Sequence, residues 1–138
     1  MPASTRSPFS YAILRIVPRV ERGERFNVGV VLFCRQRDFL GIRTLLDPVR
    51  LHALAPGVDA AQLAAHLDGL CHAAVGDPRA GAIAALPASE RFRWLVAPSS
   101  TMIQPSEVHT GLCEDPQATL DALFAELVSP VDAPASRP

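Results

Sequence analysis

The sequence contains no lysine: all thirteen basic residues are arginine. That absence removes every lysine nucleophile and every Schiff-base mechanism. Cysteine is scarce, with three widely spaced residues at 34, 71 and 113. No C-x-x-C pair exists, so neither a zinc knuckle nor a thioredoxin-type redox site is supported. Neither sign of charge is in real excess, thirteen basic against fourteen acidic residues for a net charge of −1. Binding to nucleic acid needs a strong positive field, so nucleic acid is not an expected partner. No stretch approaches the ~20 apolar residues of a membrane span, and residues 1–8 lack the apolar run of a signal peptide. A soluble, cytoplasmic protein that does not enter membranes is expected. Gly-rich phosphate loops are also missing, because "RGERFNVG" does not follow a strand and open a helix. There is no G-x-S-x-G elbow. His66 and His72 stand six apart with no accompanying carboxylate pattern, so neither a metal nor a cofactor is expected.

What is present is apolar. The 138 residues are 49% hydrophobic, enough for a real core. They fit a single domain over residues 9–128, with flexible tails at 1–8 and 129–138 and no internal repeat. Residues 9–20, "FSYAILRIVPRV", read as a strand rich in β-branched and aromatic side chains, ending near Pro18. "ERGE" forms a turn at Gly23. Residues 26–35 and 39–46 supply two more strands, and the short connections make a three-stranded antiparallel meander. Asp47-Pro48 opens a short helix. Asp59 caps a longer one through Val75, with Leu63, Leu67, Leu70 and Cys71 on one face. Residues 76–90 read as irregular. "RFRWLVA" (91–97) alternates, with Phe92, Trp94 and Val96 on one face, and predicts a half-buried strand with Trp94 in the core. One or two short extended pieces follow, and Asp115-Pro116 opens a last helix. The class expected is α+β: a mostly antiparallel sheet of four or five strands, with helices packed on one face.

Two polar clusters are candidate sites. Arg15, Arg19, Glu24 and Asn27 fall around the first hairpin, where a charged turn meets strands that are apolar on both faces. Glu24 has arginines nearby and is expected to pair with one from the first strand or from residues 91–93. A carboxylate beside a turn can be merely self-paired and solvated. The same residues can also gather as a binding site at one end of the sheet. The second cluster is "STMIQPSEVHTG" (100–111), with Gln104, His109 and Thr110. Its hydroxyls either satisfy loop backbone or line a ligand site. If it folds back on the hairpin, Gln104 and His109 come near Glu24 and Asn27. Arg91 and Arg93 complete the candidate set. Cys34 and Cys71 read as small core residues. His109 and Cys113 are close in sequence, but a loop spacing of four does not fix a catalytic pair.

"YAILRIVPRVERGERFNVGVVLFC", "RFRWLVAPSSTMIQPSEVHTGL" and "DPQATLDALFAELV" together resemble an uncharacterised bacterial family, domain of unknown function 3037. The resemblance runs from about Phe9 to Val128. It implies no activity. Members look like companions of kinase-like proteins of the persistence-toxin type, which implies a kinase-like protein partner. Two functions follow as expectations. One is a non-catalytic binding or adaptor protein. The alternative is a small enzyme acting on a phosphate-bearing or nucleotide substrate, with Arg15, Arg19, Arg91 and Arg93 clamping the anion and Glu24 or His109 serving as acid or base. The sequence leaves homo-oligomerisation open.

Overall fold

The computed structural model describes residues 5–99 and 101–130. Residues 1–4, Ser100 and the expected tail from residue 131 onward lie outside the described residues. Strand β1 (Ser7–Ile16) starts two residues before the expected strand and stops before Pro18, whose ring nitrogen has no proton to give a ladder. A 3₁₀ turn at Val20–Arg22 ends on Gly23, whose φ of 71° is the left-handed conformation that glycine adopts without strain. The chain then returns as β2 (Phe26–Cys34) and, after a second 3₁₀ turn, as β3 (Phe39–Thr44). These three strands form the expected antiparallel meander.

Three aspartates start helices as the sequence reading expects. Asp47 accepts from the Val49 amide ahead of α1 (Pro48–Leu54). Asp59 accepts from Ala61 and Gln62 ahead of α2 (Ala60–Val75). Asp115 accepts from Gln117 and Ala118 ahead of α4 (Pro116–Leu127). Each satisfies amides that the first helical turn leaves without partners. Residues Pro78–Ala85, expected to be irregular, are 3₁₀ turns interrupted at Gly81.

The expected strand at 91–97 is instead a helix, α3 (Ala88–Leu95). The apolar alternation of Phe92, Trp94 and Val96 is outweighed by helical spacing: Phe92 and Leu95, three apart, are the buried pair. Phe92 stacks on Phe33 at 5.5 Å between ring centroids. Trp94 turns outward and is 48% exposed, so it is not a core residue.

The edge of the sheet beside β1 is closed by two short strands, β4 (Ile103–Pro105) and β5 (His109–Cys113), both antiparallel to β1. β4 pairs with Leu14–Ile16 and β5 with Ser7–Tyr11. Between them Ala12 and Ile13 of β1 face Ser106, Glu107 and Val108, a one-residue bulge. A second irregularity lies on the other side of β1, where Leu14 and Arg15 pair with Gly29 and Asn27 and leave Val28 between them.

The fold is α+β with one antiparallel sheet. The helices lie on both of its faces, not on one. Val30, Leu32 and Cys34 pack with Leu120 and Phe124 of α4. Val31 and Phe33 pack with Ala73, Ala74, Phe92 and Leu95 of α2 and α3. The cause is in β2 itself, which is apolar at odd and even positions alike, so each face needs a cover. Among the described residues no helix is long and apolar enough to cross a membrane.

Candidate functional site

Three of the nine candidate residues, Arg15, Asn27 and Gln104, come together on the α4 side of the sheet, and a fourth, His109, lies roughly 13 Å further along β1. Along β1 the side chains alternate, so Phe9, Tyr11, Ile13 and Arg15 share the face on which Phe9 joins the α4 core. Arg15 pairs across to Asn27 on β2 and to Gln104 on β4, which makes a three-strand row with the arginine in the middle. His109 pairs with Tyr11 further along, their rings 5.2 Å apart. Gln104 and Asn27 thus stand on either side of Arg15, whereas His109, opposite Tyr11, does not come near Asn27 as expected, because β5 pairs with the other end of β1.

Side-chain hydrogen bonds hold the flanks of this row. Asn27 Nδ2 donates to the Leu127 carbonyl at 2.9 Å, joining β2 to the end of α4. Gln104 Nε2 donates to the Thr101 carbonyl at 3.0 Å. Between the row and His109 the bulge is built around Ser106, which is buried. Its amide donates to the Ile13 carbonyl at 2.7 Å, and its Oγ accepts from the Ile13 amide at 2.9 Å. The hydroxyl thus replaces the carbonyl that a regular ladder would offer. The bulge turns Glu107 out to solvent. Its carboxyl is held below the usual range, first by its own backbone amide, then by His109 and more weakly by Arg15 and Arg25. Ser106 and Glu107 were not among the candidates. A serine following a proline in a polar loop carries no sign that it will sit in a ladder.

Glu24 and Arg19 lie elsewhere. They line a groove of about 690 Å³ with Arg22, Leu54 at the end of α1, and Pro56 and Val58 of the α1–α2 connection. Glu24 pairs with Arg22 at 2.9 Å, two residues away, and not with an arginine of β1 or α3. The hydrogen bonds from Arg22 hold its carboxyl below the usual carboxylate range. Both groups are largely exposed, so the pair is a solvated turn contact of small energetic weight.

Arg91 has a structural task. Its Nη1 donates to the Leu86 carbonyl at 2.6 Å and its Nη2 to the Ala74 carbonyl at 3.3 Å, so it ties the end of α2 to the start of α3. Cations suit the free carbonyls at a helix C-terminus. Arg93 is exposed on α3. Thr110 pairs with Ser10 on the opposite face from His109, beside Phe33 and Arg35. The four arginines of the expected clamp thus stand in different surroundings.

The cysteines are buried or half-buried. Burial pushes the thiols of Cys71 and Cys113 up, away from the reactive thiolate. His109 and Cys113 stand at opposite ends of β5, roughly 13 Å apart along an extended strand, too far for a nucleophile and its base.

On the other side of the sheet a groove of about 330 Å³ runs between α2, α3 and the segment leading into β4. Leu70, His66, Trp94, Pro98 and Thr101 line it. A second groove of about 540 Å³ continues from His66 and Thr101 along α2 to Val58. No sequence signal marked this surface, because Trp94 read as core.

The family described as "Protein of unknown function (DUF3037)" matches over residues 11–128. The chain belongs to that family. The match takes in every strand from Tyr11 of β1 onward and all four α-helices, so the row around Arg15 and the groove beside Trp94 both fall within the family's extent. No curated protein and no solved structure matches the chain.

Proposed function

We propose that this chain is a cytosolic, non-catalytic binding or adaptor protein that offers the surface around Trp94 to a protein partner. The observation that supports this most is Trp94 itself, 48% exposed at the lip of a groove lined by Leu70, Pro98 and His66. A large aromatic side chain left out of the core, beside a shallow apolar channel, has the composition of an interface anchor. The polar candidates, by contrast, do not converge as a nucleophile, a base and an oxyanion donor would. The partner class is the kinase-like protein that the family resemblance implies.

The test is calorimetric titration of the chain with a kinase-like protein of the persistence-toxin type, native and Trp94→Ala in parallel. A saturable complex, weakened about tenfold or more by the substitution, is the expected result; tenfold corresponds to about 1.4 kcal/mol. Binding indifferent to Trp94 overturns the surface, and no complex with either form overturns the partner.

A further inference from the structure

The face of the sheet opposite the Trp94 groove is only partly covered. Helix α4 packs over β2 and β3, and its core partners on β1 stop at Phe9 and Tyr11. Arg15 lies beyond that cover, in the middle of three hydrogen-bonded strands, and is half-buried. Among the described residues its guanidinium makes no hydrogen bond or ion pair. Arg22, Arg43, Arg79 and Arg37 are answered by Glu24, Asp121, Asp77 and Ser7, and the arginines that share the lack of a partner among the described residues, Arg6, Arg19, Arg25 and Arg93, are exposed. A guanidinium carries five donors and a permanent charge. The Arg15 nitrogens keep access to solvent, so an anion from solution can reach them.

Its surroundings are those of a donor site. Asn27 and Gln104 flank it on the two neighbouring strands. Each spends one amide N–H on a backbone carbonyl, Leu127 and Thr101 respectively, and is thereby fixed in place. Each primary amide carries a second N–H that these bonds leave over. The carbonyl at the negative end of α4 beside Asn27 is already answered by that same amide. Arg15 and Arg25 both act on the exposed Glu107 carboxylate, though neither forms an ion pair with it.

We propose that Arg15, flanked by Asn27 and Gln104, is a binding site for an oxyanion, a carboxylate or a phosphate monoester, taken by the planar fork of the guanidinium with the two amides donating beside it. Arg15 and Asn27 at its centre lie on the other face of the sheet from Trp94, and the site does not depend on the partner reading. A planar fork matches two oxygens of either group.

The test is a ¹H–¹⁵N NMR titration of the whole chain at fixed ionic strength, with inorganic phosphate in one arm and acetate in the other. Saturable shifts are expected at the Arg15 Nε–H and at the side-chain amides of Asn27 and Gln104. Arg15→Met should weaken them at least tenfold, and Arg15→Lys, which keeps the charge without the fork, should fall between. Tighter phosphate binding identifies a phosphate monoester as the natural group, and tighter acetate binding a carboxylate. Should Arg15→Met not fold, Asn27→Asp sets a like charge beside the anion and should weaken binding by a similar factor. Linear shifts spread over Arg22, Arg43 and Arg79, or shifts unchanged by these substitutions, overturn the proposal.

Discussion

Ser106 and Ile13 bond to each other twice, once through the Ser106 backbone amide and once through its side chain. The pair closes the bulge that lets one edge of β1 carry two short strands. Ser106 Oγ also donates onward to the Glu107 carbonyl at 2.8 Å. Ser106→Ala removes the acceptor and leaves the Ile13 amide buried without one. A loss of about 1–3 kcal/mol is expected, measured as a lower urea midpoint with an unchanged slope. Faster hydrogen exchange at the Ile13 amide in the same variant would locate the loss at this contact.

Trp94 and Phe92, which sequence alternation puts on one face, should behave oppositely. Phe92 is 8% exposed and stacked on Phe33, so Phe92→Ala should cost about 3–5 kcal/mol. Trp94→Ala should cost less, about 1–2 kcal/mol, because about half of its side chain already lies in water. Denaturation midpoints of the two variants decide this directly. Equal losses would contradict the outward turn of Trp94.

Arg91 and Arg93 should likewise part. Truncating Arg91 frees the Leu86 and Ala74 carbonyls where α2 meets α3, and a cost of about 1–3 kcal/mol is expected. Arg93→Ala should stay within about 0.5 kcal/mol. Thermal melts of both variants check the contrast.

Asp77 gives a pH signature. It caps the 3₁₀ segment at the Arg79 amide and pairs with the Arg79 guanidinium at 2.8 Å, and these bonds lower its pKa to about 2. A carboxylate whose folded pKa is depressed contributes stability above its unfolded value, near 3.8. That contribution is lost as pH falls from there toward about 2. An NMR titration of the Asp77 carboxyl should show the low midpoint, and Arg79→Met should bring it back toward the ordinary range.

Gly81 has φ 82° and ψ −151°, a backbone region that residues with a Cβ essentially do not occupy. Nothing lies within 4 Å of where a Cβ would stand, so Gly81→Ala meets no steric neighbour. The expected loss, about 1–3 kcal/mol, is conformational alone. A melt shifted downward, with native-like chemical shifts outside residues 78–85, is the predicted outcome.

The parts of this fold that could be read in the sequence are those with local causes. Asp47-Pro48, Asp59 and Asp115-Pro116 announce helices because cap and first-turn chemistry is contained in four adjacent residues. The hairpin through Gly23 fixed the neighbourhood of Arg15 and Asn27 for the same reason. The stretch around Trp94 misled because Phe92, Trp94 and Val96 satisfy a period of two, whereas the buried pair Phe92 and Leu95 obeys a helical one. Pro87 and Glu90 just upstream are helix-start signals that outweigh the alternation. Gln104 joined Arg15 through a pairing between residues about ninety positions apart, and no local pattern encodes which strand a distant segment will choose. Two-sided apolarity of β2 was visible too, and it is what requires helices on both faces.

The two bonds between Ile13 and Ser106 span 93 residues of sequence. Strands β1, β2 and β3 can pair as soon as the first 44 residues exist, through short turns. The other edge of β1 must wait for residues 103–113, after three helices have been made. Closing so long a loop slows folding, because its entropy is lost before the contacts repay it. During synthesis β1 therefore emerges first and has one side open longest, exposed to pairing with other chains.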